Sequence, residues 1–99
     1  MCGRAYETYS DEELYFRYLS KRPVTPLNVS PIYNLCPTQN SPVLHLVAGE
    51  RQFNSMRWQL VPAVEPMFTT KLSTINARSE TVFKSPLFRD LVLRQRCIV

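Results

Sequence analysis

The sequence predicts an α+β fold, rich in short strands, with two short helices. Three observations carry this reading. Residues 10–22 form an amphipathic helical pattern with its own start and stop signals. Residues 43–61 read as two extended runs joined by a turn around Gly49. A second helix start stands at Ser85-Pro86. Ninety-nine residues make one domain or less, so 1–99 is read as a single unit. An apolar share of 44% permits a core, a modest one at this size.

Taken in order, residues 1–9 are an extended lead-in. Ser10 is a good N-cap and Glu13, three residues on, completes a capping box. Asp11 and Glu12 then suit the positive end of the helix dipole. The acidic run is therefore read as capping chemistry and not as a metal or catalytic cluster. Leu14, Tyr15, Tyr18 and Leu19 share one face. Lys21 and Arg22 close the helix, and Pro23 stops it. Residues 23–31 are a proline-punctuated loop. Ile32–Cys36 is a short strand ended by Pro37, and residues 37–40 a polar turn. Val43–Ala48 and Phe53–Val61 are strands about a turn at Gly49-Glu50-Arg51, with Met56, Trp58 and Leu60 on one face of the second. Residues 75–82 are expected to be extended, with Asn76, Arg78 and Glu80 to one side. Leu87, Phe88, Leu91 and Val92 form the stripe of the second helix. Cys97-Ile98-Val99 reads as the first residues of a further strand.

Charge and cysteine usage narrow the function classes. Glu7, Asp11, Glu12 and Glu13 are half of the eight acids. From residue 14 onward eleven Lys/Arg oppose four acids, a surplus of +7. A basic body behind an acidic segment suits an anionic partner such as nucleic acid, or a merely solvated surface. No apolar run approaches 18 residues, so no membrane span is expected. No basic segment followed by an apolar run opens the chain, so no signal peptide is expected. Cys2, Cys36 and Cys97 are odd in number and widely spaced, and His45 is the sole histidine. No zinc site is expected, and reduced thiols fit a cytosolic setting. His45 sits among aliphatics without an orienting neighbour, so it is read as a strand histidine and not a general base.

The N-terminal Met1-Cys2-Gly3-Arg4 has chemistry of its own. Removal of Met1 would leave Cys2 with a thiol and a free α-amine on adjacent carbons. Such a pair can trap an aldehyde twice, as a Schiff base and then as a thiazolidine ring. An α-amine titrates near pH 8, so more of it is neutral at pH 7 than of a lysine. The alternative is that Cys2 is a small buried hydrophobe.

Several segments fall in one order: Met1-Cys2-Gly3-Arg4, Tyr33-Asn34-Leu35-Cys36-Pro37-Thr38-Gln39, Met56-Arg57-Trp58-Gln59-Leu60-Val61-Pro62, Asn76-Ala77-Arg78-Ser79-Glu80-Thr81, Pro86-Leu87-Phe88-Arg89 and Arg96-Cys97-Ile98-Val99. Over the whole chain this resembles the N-terminal half of the SOS-response-associated peptidase (SRAP) family, also called abasic-site processing proteins. The resemblance implies a β-rich α+β domain with a basic groove over its terminus. It also implies a partner, single-stranded DNA containing abasic sites, and a thiol-dependent activity, either crosslinking to DNA or an autopeptidase step that exposes Cys2. It implies no cofactor, and a cytoplasmic location, nuclear in a eukaryote. Cys2 matches the family nucleophile and Asn76 the active-site asparagine. Arg4 and Arg78 match residues that hold phosphates, Pro37 lines the DNA path, and Trp58 opens the family's WGL motif. Two positions depart from the pattern: Gln59 replaces the glycine, and Val64 stands where many members have a second, stacking tryptophan. The family's glutamate and histidine have no counterpart in residues 1–99. The chain is thus expected to be a truncated piece, completed by a C-terminal half or inactive. A non-catalytic single-strand binding module is the other alternative.

Overall fold

In the computed structural model, which describes residues 2–20 and 26–99, the chain forms an α+β, β-rich domain. Its elements are β1 (Ala5–Glu7), α1 (Asp11–Leu19), β2 (Ile32–Leu35), β3 (Asn40–Val47), β4 (Glu50–Arg57) and α2 (Arg89–Arg94). They make two antiparallel pairs, β1 with β2 and β3 with β4. No described helix is long and apolar enough to cross a membrane.

Helix α1 follows its local chemistry. The Glu13 N–H donates to the Ser10 hydroxyl at 3.3 Å, and the Ser10 N–H donates to the Glu13 carboxylate at 2.8 Å, so both halves of the capping box form. The Ser10 backbone N–H, then its side chain, hold the Glu13 carboxyl below its ordinary value of 4.5, with Arg17 assisting. The helix ends on Ser20 in the left-handed region, φ 53°. The stop signals at Lys21, Arg22 and Pro23 lie outside the described residues. The predicted stripe faces inward: Tyr15 is buried, and Leu14, Tyr18 and Leu19 are half-buried. Tyr15 and Tyr18 set their rings on Phe53 of β4 at 5.6 and 6.1 Å, worth about 0.5–1.5 kcal/mol per pair beyond area burial. The core they join is thin, with Leu35 fully enclosed and Val43 and Leu44 buried.

Asp11 does more than offset the dipole. Its carboxylate accepts the backbone N–H groups of Leu27, Asn28 and Val29 at 2.8, 3.1 and 3.1 Å. It thus fixes the approach to β2 against the start of α1. Glu7 likewise bridges elements: the buried Ser41 hydroxyl of β3 donates to its carboxylate.

The hairpin differs from expectation in its limits. Strand β3 begins at Asn40, and β4 runs from Glu50 to Arg57 instead of Phe53–Val61. The turn is Ala48-Gly49, because Val47 pairs with Glu50. Both turn residues have positive φ, 50° and 83°, as a two-residue turn matching the strand twist requires. Pro42 sits inside β3 without harm. It shares register parity with Leu44, whose N–H and C=O bond to Ile98 at 2.9 Å, so its missing donor lies on the outer edge. Of the further strand expected to begin at Cys97-Ile98-Val99, the structure forms one isolated antiparallel bridge, Leu44 with Ile98. Strand β4 ends where the Gln59 N–H folds back onto the Arg57 carbonyl at 2.8 Å. The expected period-two face of Met56, Trp58 and Leu60 is therefore cut short before Leu60.

Residues 75–82 are not an extended strand. Val82 and Ser85 donate to the carbonyls of Arg78 and Thr81, both at 2.9 Å, which winds 78–85 into successive helical turns. Ser85 is not the cap of α2. Its carbonyl closes a separate turn on Arg89, and Phe88 stands at the N-cap without a side-chain bond. The expected stripe is kept, since Leu87, Phe88, Leu91 and Val92 are all half-buried.

Candidate functional site

The centre of the site is a contact between residues 74 positions apart. The Cys2 N–H donates to Asn76 Oδ1 at 3.2 Å, and Asn76 Nδ2 donates to the Cys2 carbonyl at 3.1 Å. One side-chain amide thus holds both backbone groups of Cys2, fixing the residue and leaving its side chain exposed. The thiol points back over the chain, 3.3 Å from the Arg4 carbonyl. Cys2 is set as the lead-in to β1, and Asn76 by the irregular segment before the turns at 78–85.

Pro37 and Trp58 are brought together by backbone bonds. The Thr38 N–H donates to the Trp58 carbonyl at 2.9 Å, and the Trp58 N–H to the Gln39 carbonyl at 2.8 Å. Both Pro37 and Trp58 are half-buried. Ala5 pairs with Leu35 in antiparallel register. The chain leading back from Ala5 to Cys2 therefore runs toward the same end of the ribbon as Cys36 and Pro37.

The cations are free to meet an anion. Arg4 is exposed, its Nη1 only 3.4 Å from the neighbouring Gly3 carbonyl. Arg78 is exposed, two residues from Asn76, and its guanidinium has no partner among the described residues. The sole ion pair among the described residues is Arg89 with Asp90, at 3.9 Å. His45 lies in β3 with Nε2 2.6 Å from Asn54 Oδ1, an amide and not a carboxylate. Sequence reasoning overlooked Glu7 and saw only a dipole partner in Asp11. For neither was a signal visible: in Ala5-Tyr6-Glu7 the large apolar side chain is the one that faces out, and Glu7 is turned inward only by the pairing of β1.

The family model "SOS response associated peptidase (SRAP)" matches residues 1–99. The chain belongs to the SRAP family. Among its relatives, the abasic site processing protein YoaM of Bacillus subtilis (strain 168) is 32% identical over 104 residues, covering all of this chain and 44% of the relative. YoqW of the same strain is 27% identical over 100 residues, again all of this chain and 44% of the relative. YobE, also of that strain, is 32% identical over 69 residues, 70% of this chain and 32% of its own length. No solved structure matches. The chain thus spans less than half the length of these SRAP relatives.

Proposed function

We propose that this SRAP chain, once Met1 is removed, captures the aldehyde of an abasic site in single-stranded DNA through Cys2. While Met1 is attached, the Cys2 nitrogen is an amide and cannot form a Schiff base. Freed, it adds to the sugar carbonyl, and loss of one water gives an imine. The thiol then adds across that C=N bond: sulfur takes the carbon, nitrogen takes the proton, and a thiazolidine closes. No oxidant or reductant is needed. The crosslinked sugar is then shielded from strand cleavage and from error-prone bypass.

The observation that carries this reading is the two-way bond between Asn76 and Cys2 beside an exposed thiol. Asn76 is a positioning residue, holding the amine so that the carbonyl meets nitrogen and sulfur in one geometry. Arg4 and Arg78 supply phosphate contacts, which give affinity without reading sequence. Pro37 and Trp58 line the path of the strand. The glutamate and histidine that the family resemblance places after residue 99 would come from a polypeptide matching the remaining length of the relatives.

Intact mass tests the reading. Mature protein incubated with single-stranded DNA carrying an abasic site should gain the mass of the DNA less one water, and Cys2→Ala should gain nothing. Equal adduct with the alanine variant, or retained Met1 in an active protein, refutes the mechanism. A second reading, a non-covalent single-strand binding module, is favoured by the unpaired cations and would leave the masses unchanged.

A further inference from the structure

We propose that the outward face of the β1–β2 ribbon, carrying Tyr6 and Tyr33, is a stacking platform for bases adjacent to the captured lesion. This rests on the function proposed above and gives the same DNA a further non-covalent contact.

The ribbon is irregular in an informative way. Ala5 pairs with Leu35 and Glu7 with Ile32. Three residues of β1 thus face four of β2, and Tyr33 and Asn34 together oppose Tyr6. Bulges of this kind re-aim side chains and recur beside functional sites. Here the inward positions are filled by Leu35, fully buried, and by the half-buried Ala5, Glu7 and Ile32. The outward positions hold Tyr6 and Tyr33, 74% and 78% exposed. Among the described residues neither phenol has a hydrogen-bond or ring partner.

Charge decides what such a face suits. The single acid of β1, Glu7, is turned inward onto Ser41. Residues 26–49 contain no Asp or Glu, and the exposed Arg4 stands at the Cys2 end of the ribbon. A neutral aromatic surface with a cation at one end fits a strand of bases and phosphates, because every base has a π-face to stack. Tyr6 is four positions after Cys2, a span of at most about 14 Å. The platform therefore lies within a few nucleotides of the reacting sugar.

Undamaged oligothymidine tests this, because it carries no aldehyde and its binding does not depend on Cys2. Titrated at low salt, it should quench tyrosine fluorescence. Tyr6→Ala and Tyr33→Ala should each weaken binding by about five-fold or more, while Tyr6→Phe and Tyr33→Phe keep it, since stacking needs the ring and not the hydroxyl. If an alanine variant fails to fold, leucine at the same site keeps the bulk without the π-face and is read in the same way. Unchanged binding by folded variants overturns the platform and leaves the Cys2 reaction standing. The same holds if the variants lose only self-association, which would make the face a protein contact. Failure of the unmodified chain to bind oligothymidine also overturns it, and the mass experiment with abasic DNA then decides the Cys2 reaction separately.

Discussion

Asn76 uses both ends of its amide on one residue, and that sets what its substitution should do. Asn76→Ala removes both bonds to Cys2, whereas Asn76→Asp keeps the acceptor and loses the donor. Reaction between a fixed amine and a fixed carbonyl depends on placement, and about 1 Å of misplacement can cost on the order of a hundred-fold in rate. Asn76→Ala should slow single-turnover adduct formation by about ten- to a hundred-fold, with Asn76→Asp in between, and leave the affinity for undamaged single strands unchanged. An equal loss of affinity would make Asn76 a DNA ligand and not a positioning group. At this scale the sequence was legible only through family resemblance. Nothing in spacing joins Cys2 to Asn76 across 74 residues; the MCGR and NARSET segments do. The Asp11 clamp shows the complementary gap. A carboxylate that caps a helix and one that gathers the N–H groups of a distant loop read identically in sequence, because the loop's path is set by tertiary packing.

The β3–β4 hairpin shows what local rules do and do not specify at the level of elements. Both strands and the turn between them were visible, because β-branched and aliphatic runs around a glycine have few other uses. The limits differ because pairing register, and not residue preference, sets strand length: Val47 opposite Glu50 leaves Ala48-Gly49 as the two-residue loop, so β3 starts three residues earlier than expected and β4 both starts and ends nearer the turn. Residues 75–82 failed for the opposite reason, since they lack a strong period and the carbonyls of Arg78 and Thr81 draw the chain into turns. The hairpin carries a measurable cost. Ala48 sits at φ 50°, a region that disfavours a Cβ by about 1–2 kcal/mol. Asparagine tolerates it, and Asn-Gly is a preferred pair for this turn. Ala48→Asn should raise the unfolding free energy in urea by up to about 1 kcal/mol with an unchanged m-value. A destabilised variant would show that the turn adopts another geometry in solution.

At the scale of the whole molecule, the surface is larger than the mass warrants. A folded monomer of 11.5 kDa exposes about 5,800 Å², whereas this chain exposes 8125 Å². Its radius of gyration is 14.7 Å against about 12.6 Å for a compact chain of this length. The excess of about 2,300 Å² is comparable to a full protein–protein interface. Much of it is apolar, with Val64, Met67, Phe68, Phe83, Leu93 and Val99 all well exposed. The outer edge of β3 adds polar demand to this apolar surface. Its bridge to Ile98 stops at Leu44, and Leu46, of the same parity and 65% exposed, presents its N–H and C=O on that open edge. Such an edge beside apolar surface is a template for another chain. In isolation the protein should associate: light scattering coupled to size exclusion should give a mass that rises with concentration, and Leu46→Lys, which places a charge on the edge, should lower it. The effect should also weaken when a polypeptide matching the remaining length of the SRAP relatives is added in trans, because it would compete for the same surface. A single monomeric mass at every concentration, with a cooperative melt, would mean that this surface is stable in water and that neither the edge nor the apolar residues seek a partner.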